Sequence, residues 1–413
     1  MIVLDSLNRT SIAVLGEGVT AAAVTKKLAE LGIPNVSLDK ADIIVTSPGI
    51  PPEKFQKADK PIISEIELAY LLFKTLGAAP ALIGVTGTNG KTTVTSLIAH
   101  ILDAPAAGNI GTPLIQYVGK TKPSDILVVE LSSFQLEFCF QFLPDVAVLL
   151  PITPDHLDRH LTMENYALQK AKLVQNHTNN HTLIYQESDS WITYILKTCS
   201  PKSRRIGFST HHPYFSKLTL PHFIGAHNKL NALASILAAE AMGVDADVSL
   251  KKCETFSLPS HRCEKIGSYH GRIFINDSKA TTLDSTRAAI RAFEQPKHLI
   301  LCGKDKATPE SEMKEALSEI GNQCRSVVIF GDVADKLFRM IESHQIQGHF
   351  FRASSLRTAI EVLYSRSREG DVLLFSPGFT SFDLFKNFEH RGETFKEMVH
   401  ALYSFQNEIQ ISN

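Results

Sequence analysis

The stretch G-V-T-G-T-N-G-K-T-T at residues 84–93 lies between a short apolar run at 81–83 and a helical pattern. The helical pattern consists of apolar residues at helical spacing, namely Val94, Leu97, Ile98, Ile101 and Leu102. A glycine-rich loop between a strand and a helix N-terminus directs backbone N–H groups and the positive end of the helix dipole at phosphate groups. Lys91 would add a positive charge, and the Thr92 hydroxyl could bind Mg²⁺. The sequence therefore predicts a polyphosphate site at this loop.

The glycine spacing of this loop departs from the strict Walker pattern. That pattern places its first glycine where Val85 stands, and Gly84 lies one position too early. The alternative is an ordinary strand-to-helix turn with a surface lysine. The strand before the loop and the helix after it favour the phosphate site.

Composition is typical of a globular enzyme and excludes a strong overall electrostatic field. The chain has 413 residues, 44% hydrophobic and 21% charged, with 42 basic and 43 acidic side chains. A chain of this length is expected to form about two to four domains. The balanced charge argues against nucleic acid or an anionic membrane as a partner. Any bound anion must therefore be held by a local site.

The cysteine pattern and the N-terminal sequence predict a cytoplasmic protein. The six cysteines form no C-x-x-C pair and no metal-like spacing, so we interpret them as free thiols in a reducing compartment. The N-terminus shows no basic segment followed by an apolar core, and no apolar run approaches membrane-spanning length.

The first region, residues 1–77, carries a glycine turn of a doubly wound fold. G-E-G-V-T-A at 16–21 follows an apolar run, and a second run at 35–38 is predicted as a strand that ends at Asp39. A dinucleotide-binding fold would place its ribose-binding acid at this point, so a nicotinamide or flavin remains open. The glycine turn alone is weak support, because sheets of this kind need it for many ligands and for none.

The second region, residues 78–258, contains two further strands that end in polar residues. The buried run at 125–129 ends at Glu130, which could hold Mg²⁺ beside the phosphate loop or could be an ordinary acid at a strand end. The run at 146–150 leads into D-H-L-D-R-H at 155–160. Asp155, His156 and Asp158 are therefore candidates for positioning magnesium or water.

The rest of the second region gives weaker signals. A helix is predicted from Met163 to about Gln175, and the residues alone favour a solvated Lys170. Residues 180–220 look irregular, with His211, His212 and Pro213 in a loop. G-A-H-N-K-L-N at 225–231 opens a clear helix, and the polar face of its first turn could reach a nucleotide.

The third region, residues 259–413, again alternates strand and helix patterns. Runs at 272–275, 298–302 and 371–375 each end in a polar cluster rich in lysine and hydroxyl groups. If these strands are parallel, the three loops lie on one edge of the sheet and form a pocket that suits a carboxylate. The predicted fold is α/β with three domains: a Rossmann-like N-terminal domain, a central P-loop type parallel sheet and a Rossmann-like C-terminal domain.

Taken jointly and in order, these segments resemble the Mur ligase family, the ATP-dependent amide-bond-forming enzymes of peptidoglycan precursor synthesis. The blocks that carry the resemblance are T-G-T-N-G-K-T-T at 86–93, G-N-I-G at 108–111, E-L-S-S-F-Q-L-E at 130–137, D-H-L-D-R-H at 155–160 and G-A-H-N-K-L-N at 225–231. In the third region, N-D-S-K-A-T at 276–281 and S-F-D-L-F-K-N-F-E-H-R-G at 381–392 are similar to members that add D-glutamate. The D-N-P-R signature of the diaminopimelate- or lysine-adding members is absent. The H-H-P at 211–213 is not where the alanine-adding members have it.

The resemblance implies the substrates UDP-N-acetylmuramoyl-L-alanine and D-glutamate, an acyl-phosphate intermediate and a monomer in the cytoplasm, with no nicotinamide involved. ATP would be bound by Gly87, Thr88, Asn89, Gly90, Lys91, Thr92, Thr93, Asn228, Arg262 and Asp277. Two magnesium ions would be held by Thr92, Glu130, His156 and Lys170, with Lys170 carbamylated. The UDP-linked substrate would contact Gly16, Glu17, Asp39, Lys40, Ser47 and Asn109. D-Glutamate would contact Thr281, Lys306, Ser381 and Phe388, and catalysis would depend on Lys91, Asn109, His156 and Lys170.

A few residues depart from the family pattern. Ala21 and Ala22 occupy a stretch that is often richer in glycine, and Cys302 and Ala307 stand where glycine is common.

Overall fold

A computed structural model describes residues 10–16, 18–50, 59–110, 112–220, 226–257, 260–306 and 308–410, without the side chains of 226 and 403–410. The strands of this part of the chain form three sheets, and each sheet lies within one of the three predicted regions. The described residues divide into two compact units. The first unit lies within 1–152, 162–219 and 230–256, and the second within 153–161, 220–229 and 257–413. The predicted domain boundaries themselves stay predictions.

The first sheet has three parallel strands in the order β1-β2-β3. Its elements are β1 (Ile12–Leu15), α1 (Val19–Glu30), β2 (Ile43–Thr46), β3 (Ile62–Ser64) and α2 (Glu65–Thr75). The predicted strand at 35–38 was wrong, because only Asn35 makes an isolated bridge to Ile12. The chain then turns at once, with the N–H groups of Lys40 and Ala41 donating to the Ser37 carbonyl, so the segment is too short for a strand.

The central sheet has six parallel strands in the order β5-β6-β4-β7-β8-β9. Its strands are β4 (Ala81–Thr86), β5 (Ala106–Gly108), β6 (Ile126–Glu130), β7 (Val146–Leu149), β8 (Thr182–Gln186) and β9 (Arg204–Phe208). The helices of this stretch of chain are α3 (Lys91–Leu102), α4 (Ser133–Glu137), α5 (Leu157–His160), α6 (Met163–Ala171), α7 (Ser190–Cys199), α8 (Pro213–Lys217), α9 (Ala226–Ala241) and α10 (Ala246–Thr255). The strands β4, β6 and β7 are buried on both faces, which explains their continuous apolar sequence.

The central sheet corrects two expectations about the second region. Residues 180–220 are regular, since they contain β8, α7, β9 and the short helix α8. The helix that was expected to run to Gln175 ends at Ala171.

The third sheet has six strands in the order β10-β11-β15-β12-β13-β14. Its elements are β10 (Glu264–Tyr269), β11 (Arg272–Asn276), α11 (Leu283–Arg291), β12 (Lys297–Cys302), α12 (Glu310–Gln323), β13 (Cys324–Phe330), α13 (Ala334–Ser343), β14 (Phe350–Arg352), α14 (Leu356–Arg366), β15 (Val372–Gly378) and α15 (Phe388–Gln410). β10 is antiparallel to β11, and the other pairs are parallel. The predicted pocket required that the strands at 272–275, 298–302 and 371–375 be parallel. The corresponding strands β11, β12 and β15 are parallel and adjacent.

Side-chain caps begin the helices that follow the polar loops. Ser132 and Gln135 form a capping box at α4, next to Glu130. Thr162 caps α6, which carries Lys170, and Thr282 caps α11. These caps fix where each loop ends and so hold the candidate site residues in place.

Two buried carboxylates join α2 to the central part of the first unit. Glu65 accepts a hydrogen bond from the Ile115 N–H at 2.6 Å, and burial raises the pKa of its carboxyl to about 7. Glu67 accepts hydrogen bonds from the N–H groups of Gln141 and Phe142 at 2.7 and 2.9 Å. The first sheet and the central sheet therefore share a packed and hydrogen-bonded boundary within this unit.

None of the helices in the described residues is long and apolar enough to cross a membrane.

Candidate active site

The phosphate loop runs from Gly87 to Gly90, between β4 and α3, and two of its residues must be glycine. Gly87 has φ +153° and Gly90 has φ +82°, which L side chains rarely adopt. A Cβ atom on Gly87 would lie 2.6 Å from Leu150 Cβ, and one on Gly90 would lie 2.5 Å from Asn231 Oδ1. The loop therefore passes so close to Leu150 and Asn231 that neither position has room for a side chain.

Gly84 is a packing residue and does not belong to this loop. It lies inside β4, where a Cβ atom would come 2.7 Å from Leu173 Cδ1. The expectation that the loop begins at Gly84 was therefore wrong. Gly87 is the glycine that opens the turn, which explains why the Walker spacing does not fit.

Two lysine side chains converge on the carbonyl of Gly87. The Lys91 ammonium donates to Gly87 O at 3.0 Å and to Thr88 O at 2.6 Å. The Lys170 ammonium donates to Gly87 O at 2.8 Å and lies 4.4 Å from the ring centroid of Tyr166. Lys170 is only 1% exposed, so the expectation of a solvated side chain was wrong. Two cations at one loop form an anion-attracting site.

The carboxylate of Glu130 is buried and only partly satisfied. Its Oε1 atom accepts a hydrogen bond from Asn109 Nδ2 at 2.9 Å, whereas Oε2 is buried without a hydrogen-bond partner. Buried polar atoms are normally paired, so this carboxylate oxygen is suited to bind a cation or a water molecule. Thr92, which supplies a second oxygen in the prediction, is also buried. These residues fit a magnesium ion, although no group of three or more His, Cys, Asp or Glu is clustered in the described residues.

Asn109 is positioned by the turn that follows β5. The Asn109 N–H donates to the Glu130 carbonyl at 2.9 Å, and a Cβ atom on Gly108, which has φ +91°, would collide with that same carbonyl oxygen. The Asn109 side chain is therefore fixed beside the Glu130 carboxylate, a contact that the sequence did not predict.

The candidate UDP-binding residues divide into two groups. Gly16 has φ +133°, and a Cβ atom there would collide with Ser47 Oγ, so these two residues are brought together. Asp39 and Lys40 lie in the exposed turn that replaces the predicted strand. A hydrogen bond from the Ser37 side chain lowers the pKa of Asp39. Glu17 lies outside the described residues.

Within the second unit, Asp155 connects His156 to Lys306. The Lys306 ammonium lies 2.9 Å from Asp155 Oδ1, and His156 Nε2 lies 3.4 Å from Asp155 Oδ2. His156 adopts φ 56°, in the left-handed region, which directs the chain into α5. Sequence reasoning did not foresee this pairing of Asp155 with a lysine 151 positions further along the chain.

A small pocket surrounds Lys306. Its lining comprises Pro154, Asp155, Leu157, Thr281, Thr282, Leu283, Lys306, Thr308, Pro309, Glu312, Gly378 and Phe379. The cavity volume is about 20 Å³, which leaves room for roughly one water molecule. Burial and then the nearby Asp284 raise the pKa of Glu312 to about 7. Thr281 and Lys306 are therefore brought together as predicted, whereas Ser381 and Phe388 do not line this pocket.

Two of the candidate nucleotide residues of the second unit, Asn228 and Asp277, are buried, whereas Arg262 is partly exposed. Asp277 accepts hydrogen bonds from Ser376 Oγ at 2.7 Å and from the Cys263 N–H at 3.1 Å, and burial raises its pKa to about 6. Asn228 is 4% exposed in the first turn of α9. Burial, together with the charge of Arg262, lowers the pKa of the neighbouring His227 to about 4. His227 is therefore neutral at pH 7.

Arg391 is fully buried. It belongs to the block at 381–392, but the sequence assigned it no role. Its Nε donates to Ser278 Oγ at 3.1 Å, its Nη2 to Ser278 O at 2.7 Å and its Nη1 to Phe379 O at 3.0 Å. Ser278 Oγ in turn donates to Phe388 O at 2.9 Å. One guanidinium thus fixes the loop after β11, the loop after β15 and the start of α15. The only sequence signal was a single arginine in E-H-R-G.

Comparisons with known proteins assign the family. The chain matches two family models, the Mur ligase middle domain over residues 85–239 and the Mur ligase, glutamate ligase domain over residues 261–379. It is 35% identical to the UDP-N-acetylmuramoylalanine–D-glutamate ligase of Pelotomaculum thermopropionicum, over 94% of this chain and 89% of that protein. The chain belongs to the Mur ligase family. This Mur ligase is therefore an enzyme of the ligase class, and its membership supports the use of ATP.

A second curated relative also supports membership of the Mur ligase family, and a solved structure supports the fold. It is 36% identical to the UDP-N-acetylmuramoylalanine–D-glutamate ligase of Acidobacterium capsulatum, over 88% of this chain and 83% of that protein. Among solved structures, the MurF ligase of Thermotoga maritima in complex with ADP matches with a TM-score of 0.65 at 16% identity, over 97% of both chains. That likeness supports the α/β fold with parallel sheets.

Proposed function

We propose that this Mur ligase adds D-glutamate to UDP-N-acetylmuramoyl-L-alanine through an acyl phosphate formed with ATP, giving ADP and phosphate. The observation that carries the proposal is the phosphate loop, where the ammonium groups of Lys91 and Lys170 both donate to the Gly87 carbonyl. The relatives that bear this name are 35% and 36% identical over most of the chain. The proposed place of action is the cytoplasm, as a monomer.

The proposed reaction has two steps. A carboxylate oxygen of the terminal L-alanine attacks the γ phosphorus of ATP, the bond to the ADP oxygen breaks, and ADP leaves. The D-glutamate nitrogen then attacks the acyl carbon of the resulting acyl phosphate. The nitrogen loses a proton, the bond to the phosphate oxygen breaks, and an amide and inorganic phosphate result.

The residues of the first unit would bind and orient the triphosphate. The backbone N–H groups of the loop, Lys91 and Thr93 would hold the phosphates at the N-terminus of α3. Thr92 and the orphaned oxygen of Glu130 would hold a magnesium ion. When bound, this ion neutralises charge on the phosphate oxygens and so lowers the barrier to attack by an anion.

Lys170 and His156 are the proposed holders of a second magnesium ion, with Lys170 in its carbamylated form. Carbamylation joins CO₂ to the neutral Lys170 amine and releases a proton, which converts a cation into an anion suited to Mg²⁺. The position of Lys170 supports this role, because the side chain is 1% exposed and its nitrogen is held at the phosphate loop, 2.8 Å from Gly87 O. Lys170 belongs to the first compact unit and His156 to the second.

The remaining site residues would bind the two substrates that are joined. Lys306, which faces Asp155 at 2.9 Å, would hold a D-glutamate carboxylate together with Thr281, Ser381 and Phe388. The proposed UDP contacts are Gly16, Glu17, Asp39, Lys40, Ser47 and Asn109. Asn228, Arg262 and Asp277 would contact the nucleotide.

Replacement of Arg391 by lysine is expected to raise the KM for D-glutamate by about tenfold, with a smaller change in kcat. Lysine keeps the positive charge but cannot donate from three fixed nitrogens, so the loops after β11 and β15 lose their common anchor. Steady-state kinetics with D-glutamate and with ATP as the varied substrate would measure the effect. Arg357→Lys, at an exposed position on α14, is the control. A lower melting temperature with an unchanged KM would show that Arg391 is only structural.

The proposed function is tested by the substrate requirement for phosphate release. Release from ATP is expected only when UDP-N-acetylmuramoyl-L-alanine and D-glutamate are both present, and Lys91→Ala is expected to abolish it. Equal release with L-glutamate would contradict the assigned amino acid. A clear thermal shift with NAD or NADP would favour the dinucleotide alternative for the glycine turn at Gly16.

A further inference from the structure

A basic groove lies at the edge of the third sheet where β12 and β13 begin. It has a cavity volume of about 560 Å³ and is lined by His298, Arg325, Ser326, His349, Ser365, Arg366 and Arg368. Among the described residues, this lining contains three arginines, two histidines and no carboxylate. Because the whole chain has a net charge of −1, the positive charge here is a local feature.

The basic groove is separate from the pocket around Lys306. His298 lies near the start of β12, whereas the loop that carries Lys306 follows the end of that strand at Cys302. β12 and its parallel neighbour β15 therefore separate the two sites by about 15 Å. The groove has no part in the proposed ligase reaction.

Buried polar residues form a rigid floor beneath the groove. His298 is 1% exposed, with Nδ1 at 2.7 Å from Ser326 Oγ and Nε2 at 3.0 Å from Asp371 Oδ2. Asp371 also accepts from Arg325 Nη1 at 3.2 Å and from the Arg368 N–H at 2.9 Å. The Asp371 carboxylate thus fixes the guanidinium of Arg325 and the backbone of Arg368, two of the three arginines that line the groove. Ser326 is 2% exposed and cannot reach a substrate, which excludes a serine nucleophile in this Ser-His-Asp array.

The guanidinium groups of the rim are partly pre-organised. Arg366 lies 3.6 Å from the ring centroid of Phe351, which restricts the arginine without using its hydrogen-bond donors on an acid. Arg325 is held by Asp371 and remains 53% exposed. Pre-organised guanidinium groups lose little entropy on binding, and their planar donors match carboxylate and phosphate oxygens.

We propose that the basic groove binds a small molecule with two or more oxyanion groups. Its volume lies in the range of small-ligand sites, which is about 300–1,000 Å³. Three arginines can each offer paired N–H donors to phosphate or carboxylate oxygens. This site goes beyond the proposed ligase function and does not depend on it.

Calorimetric titration of the full chain with pyrophosphate and with citrate tests the proposal, at matched ionic strength because salt screens exposed charges. The titration is done in Lys91→Ala, so that binding at the phosphate loop is weakened, after thermal unfolding has shown that this variant is folded. We expect one binding event, and we expect the further changes Arg366→Ala and Arg368→Ala together to weaken it at least about tenfold. Arg357→Ala, which removes a charge from α14 outside the groove, is the control and is expected to leave binding unchanged.

The two probes also distinguish the ligand classes. Binding of pyrophosphate alone would assign a phosphorylated ligand, and binding of citrate alone would assign a polycarboxylate; either supports the proposal. No binding of either probe in Lys91→Ala, or equal binding with and without Arg366 and Arg368, would overturn it.

Discussion

Replacement of Lys170 by alanine is expected to lower kcat by at least about 100-fold. The reason is its position, since the buried ammonium donates to the Gly87 carbonyl at 2.8 Å within the phosphate loop. Loss of the side chain removes either that cation or the proposed carbamate from the phosphate loop. Steady-state ATP turnover with both substrates measures the effect.

The carbamate itself is tested by chemical rescue. Formate or acetate is expected to restore part of the activity of Lys170→Ala, because a short carboxylate can occupy the space and supply the missing oxygens. Lys172→Ala is the matched control. Lys172 lies at the same end of α6 and donates instead to the Glu137 carbonyl. Full activity of Lys170→Ala would remove this residue from the site, and a loss without rescue would contradict the carbamate.

Replacement of Glu130 by glutamine is expected to lower kcat by about 100-fold and to raise the Mg²⁺ concentration for half-maximal activity by at least about tenfold. Glutamine keeps an oxygen for the hydrogen bond from Asn109 but loses the negative charge at the orphaned position. A titration of activity against Mg²⁺ measures the shift.

Thermal unfolding separates a metal site from a structural role for Glu130. Without Mg²⁺, the glutamine variant is expected to be at least as stable as the parent, because a buried unpaired carboxylate oxygen is costly. Glu164→Gln, at an exposed position on α6, is the control. It is expected to change neither the thermal stability nor the Mg²⁺ dependence of activity. An unchanged Mg²⁺ dependence in Glu130→Gln would contradict the metal role.

The parts of the fold that the sequence predicted are those set by local pattern. The strands β4, β6 and β7 are buried on both faces, so each is a continuous apolar run, and β4 and β6 end at the polar residues Thr86 and Glu130. The same pattern predicted β11, β12 and β15, and the structure places them side by side and parallel. The polar residues after β11 and β12 therefore fall at one edge, as expected, whereas residues 376–378, which were expected to lie in the loop after the third strand, belong to β15 itself.

The missed elements lack such a pattern. β9 is an edge strand that begins with two exposed arginines, Arg204 and Arg205, so it shows little apolar signal. The segment 35–38 looked like a strand because of its composition, yet Pro34 and the turn at Ser37 leave room for a single bridge. Local sequence does not reveal which edge a strand will occupy.

The candidate site could be predicted only in part from the sequence, because many of its contacts join residues that are far apart in the chain. Lys170 meets Gly87 across 83 positions, and Asp155 meets Lys306 across 151. Nothing in the local pattern distinguished Lys170 from a solvated lysine, and only the family resemblance assigned it a role. Arg391 was missed for the same reason, since its partner Ser278 lies 113 positions away.

The most direct test of the proposed function is mass spectrometry of the product formed from UDP-N-acetylmuramoyl-L-alanine, ATP and D-glutamate. We predict one product whose mass equals that of the UDP substrate plus D-glutamate minus one water, formed with one ADP per amide bond and absent with L-glutamate. Formation of a different amide, or of no amide in the presence of all three substrates, would contradict the proposal.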